Sequence, residues 1–553
     1  MTGLPSPLWS DRDSSARLTG TWRSALPAYV SPPSPCHQAC PVHGEIASWI
    51  HQFAQKQTRE AWLTLMENNP LPAVIGRICH HPCQEFCNRT QHDETVGICS
   101  LERFIGDRAL SEGWQIVPPS TQRPEHVAIV GGGPAGLSAA YQLLRRGYRV
   151  TLYDAGAALG GLMRHGIPDY RLNKAVLEAE IQRIVDLGLE VHLNRRISGP
   201  RQLRALARKF NAVFLATGAS SARHLPMLDY AAPYVIDSAD FLAAVNAGKP
   251  TGAGKRVLVI GGGSAAMDVA RSARRLDRGV SVLALESAEQ LPAQRTEVTE
   301  AFEEGVHILT EAMMTSVAAG DALGRDGVEI SCTKVLFTPA HGSVEATITP
   351  VEGSEFVLRA DTIIPAIGQQ VDTGCWGDLL AAEDGLIGVG PELMTSHEGI
   401  YAGGDLVSMD RFVSAAIGMG KEAALAVHAR FDKAAARGRH EVAEGVPFQA
   451  INTAYHARAP RNKRSSLPVV ARVDNFDEVQ AALSETAALA EAQRCFSCGH
   501  CIFCDNCYYY CPDMAIRKLE QGYEVIADYC KGCGLCVQEC PTGAVDMFGE
   551  GSA

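Results

Sequence analysis

The chain has 553 residues, of which 46% are hydrophobic and 20% charged, values typical of a globular protein with several cores. Its formal net charge of −12 argues against nucleic acid as a partner, because that binding depends on clustered Lys and Arg. No run of about 18 apolar residues occurs, and the N-terminus lacks the basic start and apolar stretch of a signal peptide. We therefore expect no membrane span and a cytoplasmic location.

The chain begins with residues rich in Pro, Ser and Gly, and we expect an extended arm over 1–35. The next segment, 36–120, has apolar residues at three- and four-residue spacing, as in EIASWIHQFAQKQTREAWLTLMENN. This spacing predicts a helical domain, with its cysteines at helix ends and turns.

The cysteines are distributed unevenly along the chain. Six of the 18 lie between Cys36 and Cys99 and ten between Cys495 and Cys540, while Cys332 and Cys375 stand alone. A disulfide framework would not skip the middle of a protein, so the distribution predicts metal ligation. For the two isolated cysteines we expect buried, small apolar side chains.

Two copies of a strand, a Gly-rich turn and a helix follow the helical segment. In HVAIVGGGPAGLSAAYQLL, Gly131, Gly133 and Gly136 follow an apolar strand, and Asp154 comes 23 residues after Gly131. RVLVIGGGSAAMDVARSARR repeats the unit about 130 residues later. Such glycines let backbone N–H groups approach a pyrophosphate at a helix N-terminus, while the acid accepts ribose hydroxyls. The sequence thus predicts two dinucleotide-binding domains.

Further motifs carry a resemblance to a known family. These are AALGGLMRHGIPDYRLNK (157–174), ATG (216–218), PAIGQ (365–369) and GIYAGGDLV (399–407). With these motifs, the chain from about 36 to 440 resembles the small subunit of glutamate synthase and the N-terminal half of dihydropyrimidine dehydrogenase.

The resemblance implies an α/β fold with two Rossmann-like domains, of which the NAD domain is inserted in the FAD domain. A helical iron–sulfur domain would precede them and a bacterial-ferredoxin-like α+β domain would follow. The expected domains are an iron–sulfur domain at 36–120, an FAD domain at 121–248 and 368–448, an NAD(H) domain at 249–367, a linker at 449–490 and a ferredoxin-like domain at 491–553.

The resemblance also implies the residues that bind each nucleotide, with Asp154 on the FAD ribose, Arg171 near the flavin and Asp405 on the ribityl chain or pyrophosphate. For FAD the set is Gly131, Gly133, Pro134, Ala135, Gly136, Asp154, Gly161, Leu162, Arg171, Gly218, Gly404 and Asp405. For the nicotinamide nucleotide it is Gly261, Gly263, Ser264, Ala265, Ala266 and Glu286.

One departure from the family concerns the coenzyme. Members that use NADP carry paired arginines after the second strand, where this chain reads LALESAEQLP with Glu286 at the predicted strand end. A carboxylate accepts two ribose hydroxyls but repels a 2′-phosphate, which favours NAD(H) over NADP(H). The alternative is that Glu286 is only solvated and that Arg271, Arg274 or Arg275 binds the phosphate.

The C-terminal cysteines form two ferredoxin runs. In this bacterial spacing the fourth cysteine of each run ligates the other cluster, and zinc is the less suitable metal. The expected ligands are Cys501, Cys504, Cys507 and Cys540 for one 4Fe-4S cluster, and Cys511, Cys530, Cys533 and Cys536 for the other.

Cys495 and Cys498 are surplus to these runs. The family's helical domain holds two 4Fe-4S clusters and takes two ligands from an RC-x2-CG pair that precedes its other cysteines; here that pair stands at 494–499 instead. We hypothesise that the tail folds back and that both cysteines complete a cluster with Cys36 and Cys87. Alternatively, they are a free or labile pair.

The other helical-domain cluster would take Cys40, Cys79 and Cys83. Its fourth ligand is either Cys99, which divides sixteen clustered cysteines into four sets of four, or Glu102, which falls where the family has Glu or Gln.

The resemblance implies an electron-transfer flavoprotein subunit that links NADH to a ferredoxin or to a catalytic partner subunit, for example a 2-oxoacid oxidoreductase, within a hetero-oligomer. Its cofactors would be FAD, NAD(H) and four 4Fe-4S clusters. Other readings are a glutamate-synthase-like small subunit that uses NADPH, a self-sufficient flavin reductase of a small molecule, and a non-catalytic scaffold.

Overall fold

The computed structural model describes residues 19–20, 23–319, 327–339, 346–436 and 444–549. Most of the predicted arm, residues 1–18, 21 and 22, lies outside the described residues. Within the described ranges the expected fold class is confirmed: a helical unit precedes two nested parallel-sheet units, and a ferredoxin-like unit follows. No helix in these ranges is long and apolar enough to cross a membrane.

The N-terminal unit follows the first strand and has six α-helices packed around buried aromatic side chains such as Trp49 and Trp62. Its core continues into the FAD unit, where the Tyr141 hydroxyl donates a hydrogen bond to Met66 O at 2.7 Å. The elements are β1 (Ala25–Tyr29), α1 (Pro35–Ala39), α2 (Ile46–Ala54), α3 (Thr58–Met66), α4 (Pro72–Ile78), α5 (Pro82–Glu85) and α6 (Ile98–Ser111).

The first half of the FAD unit alternates strands and helices, as its sequence pattern predicts. Its elements are β2 (His126–Val130), α7 (Pro134–Leu144), β3 (Arg149–Tyr153), α8 (Leu162–His165), α9 (Lys174–Val185), β4 (Glu190–His192), α10 (Pro200–Lys209), β5 (Ala212–Leu215) and β6 (Ser221–Ala222).

The NAD unit interrupts the FAD unit and combines a parallel sheet with an antiparallel one. Its elements are α11 (Ser238–Asn246), β7 (Arg256–Ile260), α12 (Ser264–Arg275), β8 (Gly279–Leu283), α13 (Arg295–Glu303), β9 (His307–Leu309), β10 (Ala312–Ala319), β11 (Val328–Thr338), β12 (Thr347–Pro350), β13 (Phe356–Ala360) and β14 (Thr362–Pro365).

The chain then returns to the FAD unit and completes its sheet. The returning elements are β15 (Gln369–Gln370), β16 (Ala382–Glu383), β17 (Leu386–Ile387), β18 (Ile400–Ala402), α14 (Val413–Phe431) and α15 (Lys433–Ala436).

Both parallel sheets have a point at which the strand order reverses. In the FAD unit the order is β18-β5-β2-β3-β4, and in the NAD unit it is β14-β7-β8-β9. The reversal lies between β2 and β5 in the first and between β7 and β14 in the second. In open α/β sheets, ligands bind at the carboxyl ends of the strands beside such a point. The topology therefore locates both candidate sites.

The segment predicted as a linker, 449–490, is packed against two other units. Glu478 forms an ion pair with Arg103 of the helical unit at 3.0 Å, and Arg472 forms one with Glu303 of the NAD unit at 2.7 Å. Two helices lie in this segment, α16 (Val469–Arg472) and α17 (Glu485–Ala492).

The ferredoxin-like unit is built from both ends of the chain. β1, from the predicted arm, pairs antiparallel with the last strand, so that Ala25 lies opposite Gly549 and Tyr29 opposite Val545. Residues 25–29 of the predicted extended arm thus form a strand that is paired with the other end of the chain. The C-terminal elements are α18 (Asn506–Tyr509), β19 (Ile516–Leu519), β20 (Gly522–Val525), α19 (Leu535–Gln538) and β21 (Val545–Gly549).

Candidate functional site

The loop between β2 and α7 has a backbone that requires glycine. Gly131 has φ +109°, and a Cβ added there would lie 2.2 Å from Ala216 O, at the end of the neighbouring strand β5. Gly133, by contrast, has no heavy atom within 4 Å of an added Cβ. It is the N-cap of α7, and no side chain caps that helix. The first N–H groups of α7 thus face open space, a geometry that fits a pyrophosphate.

Asp154 lies directly after β3 and is held against the same loop. Its two carboxylate oxygens accept hydrogen bonds from the N–H groups of Gly132 and Gly156, each at 2.6 Å. These bonds fix the carboxylate beside the open space, where its remaining lone pairs fit ribose hydroxyls.

The other predicted FAD residues follow strand ends of the same sheet or line the turn beside the loop. Gly161 has φ +52°, and a Cβ added to it would lie 3.0 Å from Gly133 Cα, which places the 160–162 turn against the glycine loop. Gly218 follows β5, and Gly404 and Asp405 follow β18. Burial raises the pKa of Asp405, and the positive charge of Arg411 opposes that rise. The remaining predicted residues begin helices: Pro134, Ala135 and Gly136 in α7, and Leu162 in α8.

The second glycine loop repeats the geometry of the first. Gly261 has φ +129°, an added Cβ there would lie 2.5 Å from Ala366 O, and Gly263 faces open space. A Cβ added to Gly262 would lie 2.8 Å from Glu286 Oε2, as one added to Gly132 would lie 3.0 Å from Asp154 Oδ2. Glu286 thus occupies the place of Asp154, although β8 ends at Leu283 and Glu286 lies in the following turn rather than at the strand end. Ser264, Ala265 and Ala266 form the first turn of α12.

Two of the three arginines considered as ligands of a 2′-phosphate form ion pairs with a buried glutamate instead. Arg271 and Arg275 lie in the last two turns of α12, are buried and form ion pairs with Glu304 at 2.8 and 2.5 Å. Their guanidinium groups also lie 4.7 and 3.9 Å from the centre of the Tyr170 ring. Arg274 donates its Nε–H to the backbone oxygen of Glu304 at 3.1 Å. A phosphate beside Glu286 would not meet Arg271 or Arg275 without breaking buried ion pairs.

Arg171, expected near the flavin, contacts the NAD unit. It forms ion pairs with Asp268 of α12 at 2.6 Å and with Glu297 of α13. These contacts hold the 166–172 segment of the FAD unit against the NAD unit, a role that the motif did not indicate.

A turn of the helical unit lies between both nucleotide units. The His80 ring is 4.5 Å from that of Phe412, the N-cap of α14 in the FAD unit, and His80 Nε2 is 3.3 Å from Ser264 Oγ at the second glycine loop. Gln294 of the NAD unit donates a hydrogen bond to Cys79 O at 3.2 Å. The turn that carries the predicted cluster ligand Cys79 therefore contacts both nucleotide units and reaches the second glycine loop.

Cys36, Cys87, Cys495 and Cys498, hereafter the shared set, line one cavity of about 350 Å³ that is partly open to solvent. Burial raises the pKa of the Cys36 thiol well above its usual value, and Cys87, Cys495 and Cys498 raise it further. The structure thus brings residues from opposite ends of the chain to one cavity.

Hydrogen bonds and ion pairs hold the segment around Cys495 against the helical unit. Arg494 donates to Asp93 Oδ1 at 3.1 Å and to Glu94 O at 2.6 Å, and it forms an ion pair with Glu491 at 2.7 Å. Arg89 donates to Arg494 O, and its guanidinium lies 5.0 Å from the Phe496 ring centre.

We call Cys40, Cys79 and Cys83 the helical set. Glu102, one of the two candidates for the fourth ligand, is a neighbour of all three thiols. After burial, Glu102 is among the neighbours that raise the pKa of each of these three thiols, whereas Cys99 does so only for Cys79, where its effect comes before that of Glu102. Cys99 instead directs its thiol at the backbone of α4, donating to Gly76 O at 3.3 Å.

Glu102 is a partly buried residue, and desolvation of its carboxyl raises the pKa to about 7. Asn69 donates to it at 2.8 Å, but in the described part of the chain no Lys or Arg lies within ion-pair distance. A buried carboxylate needs a compensating cation, and cluster iron would supply one. This geometry favours Glu102 over Cys99 as a ligand.

The eight ferredoxin cysteines form two neighbouring sets. Cys501, Cys504, Cys507 and Cys540, the first ferredoxin set, line a cavity of about 310 Å³. Cys511, Cys530, Cys533 and Cys536 form the second ferredoxin set. Burial raises the pKa of the Cys536 thiol, and Cys507 of the first set is its foremost charged neighbour, ahead of Cys533, Cys530 and Cys511.

The arrangement fits polynuclear clusters rather than single ions. Within the described ranges, no three Cys, His, Asp or Glu side chains converge closely enough to hold one metal ion, whereas the cysteine sets are spread around cavities. Sequence reasoning missed Tyr29, which lines the cavity of the first ferredoxin set, and Arg23, which contacts Cys530. The isolated Cys332 is buried in the NAD unit, and Cys375 is partly buried.

Family models match three parts of the chain. The pyridine nucleotide-disulphide oxidoreductase model matches residues 125–429, more than half of the chain. A model described as dihydropyrimidine dehydrogenase domain II, 4Fe-4S cluster, matches residues 30–114, and a 4Fe-4S binding domain matches residues 523–546.

Three curated relatives align over most of their own length. The chain is 34% identical over 502 residues to NADP(+)-dependent formate dehydrogenase subunit beta of Moorella thermoacetica, covering 84% of this chain and 70% of the relative. It is 34% identical over 405 residues to NAD-dependent dihydropyrimidine dehydrogenase subunit PreT of Salmonella typhimurium, covering 72% and 92%. It is 31% identical over 425 residues to the NADPH glutamate synthase small chain of Azospirillum brasilense, covering 71% and 86%.

The names of these relatives specify NADP(H) in two cases and NAD in one, so the similarity leaves the coenzyme open. They do confirm the resemblance to the glutamate synthase small subunit and to dihydropyrimidine dehydrogenase. The chain belongs to the pyridine nucleotide-disulphide oxidoreductase family, and it is a flavin-dependent, NAD(P)-linked oxidoreductase with 4Fe-4S clusters.

Proposed function

We propose that the chain is an electron-transfer subunit that passes electrons between NADH and a ferredoxin or catalytic partner subunit through FAD and four 4Fe-4S clusters. The observation that carries this proposal is the unbroken succession of four cysteine sets from the nucleotide sites to the ferredoxin-like unit. The formate dehydrogenase and dihydropyrimidine dehydrogenase relatives are named as subunits of larger enzymes, which supports a partner subunit here.

Each cysteine set in the succession lies next to the following one. The turn that carries Cys79 contacts both nucleotide units through His80. Burial raises the pKa of the Cys83 thiol, and its charged neighbours are Cys40 and Cys79 of the helical set and then Cys36 of the shared set.

The succession continues into the ferredoxin-like unit. Cys498 and Cys501 are three residues apart, and the intervening Gly499 donates its N–H to Thr542 O at 2.7 Å, two residues beyond Cys540. The two ferredoxin sets then meet at Cys507 and Cys536. No set is separated from the next by an intervening domain.

In this proposal the first glycine loop and Asp154 hold FAD, and the second loop and Glu286 hold the nicotinamide nucleotide. When bound, FAD supplies the exchange between two-electron transfer with the nicotinamide and one-electron transfer with the clusters. The chain contributes the N-termini of α7 and α12 for the pyrophosphates and two carboxylates for the riboses, of which Asp154 is fixed by hydrogen bonds from Gly132 and Gly156. Arg171 holds the two units together through Asp268 and Glu297.

The coenzyme preference rests on Glu286. Its carboxylate lies at the second glycine loop where Asp154 lies at the first, and Arg271 and Arg275 are committed to Glu304. A carboxylate in this place accepts ribose hydroxyls and repels a 2′-phosphate. We therefore assign NADH as the preferred coenzyme.

The proposed ligands are those of the four sets, with Glu102 as the fourth ligand of the helical set. Purified anaerobically, the native protein should contain about sixteen iron atoms and about one FAD per chain. Glu102→Ala should lose about four of these irons or change the electron paramagnetic resonance (EPR) spectrum of one cluster, because the helical set would keep only three cysteines. Iron and sulfide analysis together with low-temperature EPR measures both.

Cys99→Ser is the matched control, since Cys99 lies one helical turn from Glu102 on α6 and is the alternative fourth ligand. It should keep all the iron. Loss of a cluster in Cys99→Ser and not in Glu102→Ala would reverse the ligand assignment. A native protein with about eight irons would refute the four-cluster proposal.

A further inference from the structure

The N-terminal arm contributes side chains to both ferredoxin sets. Besides the pairing of β1 with β21, the Gly20 N–H donates to Lys531 O at 2.9 Å, within the second ferredoxin run. Two polar side chains of the arm, Tyr29 and Arg23, point at different sets.

Tyr29 lies at the first ferredoxin set. Its ring stacks on Tyr523 with centroids 5.8 Å apart, and it lines the cavity formed by Cys501, Cys504, Cys507 and Cys540. The hydroxyl is buried, and among the described residues it has no hydrogen-bond partner. A phenol hydroxyl is a hydrogen-bond donor at neutral pH, and the four thiols of the first ferredoxin set line the cavity around it. The hydroxyl therefore remains a donor, and its available acceptor is sulfur.

Arg23 lies at the second ferredoxin set. Its Nη1 donates to Ala527 O at 2.7 Å and to the backbone oxygen of Cys530. A guanidinium is thus fixed beside a ligand of the second set.

We propose that the arm tunes the two ferredoxin clusters separately, Tyr29 by donating a hydrogen bond to sulfur at the first set and Arg23 by placing a positive charge at the second. Reduction adds one negative charge to a cluster, and a hydrogen-bond donor or a cation stabilises that charge, so both residues raise the reduction potential. Tyr29 and Arg23 are positioning residues in this role. The inference rests on the proposed ligation of clusters by the two ferredoxin sets.

The test is an anaerobic redox titration of the full chain, followed by EPR of the two ferredoxin clusters. Tyr29→Phe should lower the equilibrium constant for reduction of one cluster about two- to tenfold, the effect of one net hydrogen bond. That range equals about 20 to 60 mV at 59 mV per tenfold change. Arg23→Gln should produce a shift of the same sign in the other cluster, and Arg23→Lys, which keeps the charge, should restore much of it. NADH oxidation with dyes that react at the flavin should not change.

Tyr523→Phe is the matched control, because its hydroxyl already donates to Asp505 Oδ1 at 2.7 Å while its ring packs on Tyr29. It should leave both potentials in place. The inference is overturned if Tyr29→Phe and Arg23→Gln keep their full iron content and show unchanged reduction potentials. It is also overturned if each variant shifts the reduction potentials of both clusters equally. Iron analysis distinguishes failure of this inference from failure of the proposed function. If the native protein lacks the ferredoxin clusters, both fail; if it has them and the potentials do not change, only this inference fails.

Discussion

Replacing Cys495 and Cys498 together by Ser should remove about four irons per chain and leave both ferredoxin clusters intact. The reason is the shared set: these two thiols line one cavity with Cys36 and Cys87, while the eight ferredoxin cysteines are untouched. NADH oxidation with artificial dyes should survive, whereas reduction of the ferredoxin clusters by NADH should slow strongly. Iron analysis, EPR and stopped-flow spectroscopy give the three readouts.

Cys375→Ser is the control, because Cys375 is a partly buried cysteine outside all four sets. It should change none of these quantities. Truncation after residue 490 should damage the N-terminal iron content too, since it removes two shared-set thiols and Arg494, the partner of Asp93 and Glu94. A truncated protein that keeps both N-terminal clusters would show that the tail does not ligate them.

The second large effect concerns coenzyme choice. Glu286→Arg should shift the ratio of kcat/KM for NADH over NADPH toward NADPH by about 100-fold or more. Removal of the repulsion and addition of a charge-assisted hydrogen bond each contribute about 1.5 to 3 kcal/mol, or at least about tenfold. Steady-state kinetics with both coenzymes and one dye acceptor measure the ratio.

Two control variants separate position from net charge. Glu286→Gln removes only the repulsion and should give a part of the shift. Glu289→Arg makes the same change of charge at an exposed position three residues away and should leave the preference nearly unchanged. If the native protein uses NADPH better than NADH, the interpretation of Glu286 is wrong.

Local sequence was sufficient for the fold class and for both glycine loops. Gly131 and Gly261 need positive φ and a close approach to a neighbouring strand, so the backbone geometry itself dictates the residue type. The division of the tail cysteines into two runs likewise follows from spacing within one short segment.

Contacts between distant segments could not be predicted from the local sequence. The sequence ALPAY has no local signal that it pairs with a strand more than 500 residues away, so only an extended arm was expected there. The choice between Cys99 and Glu102 depends on which side of α6 faces the helical set, and the spacing of the two residues in the sequence does not decide it. The partners of Arg171 lie on a domain inserted after it, and no spacing rule connects them.

The central claim is a continuous path from the nucleotide sites to the ferredoxin-like unit. Its most direct test is rapid mixing of the native protein with NADH under anaerobic conditions, followed by freezing and EPR. The account predicts that the ferredoxin clusters become reduced in the native protein within its turnover time, and that Cys495→Ser/Cys498→Ser stops reduction after the flavin and the helical-set cluster. Ferredoxin clusters that are reduced equally fast in the variant would contradict the path through the shared set.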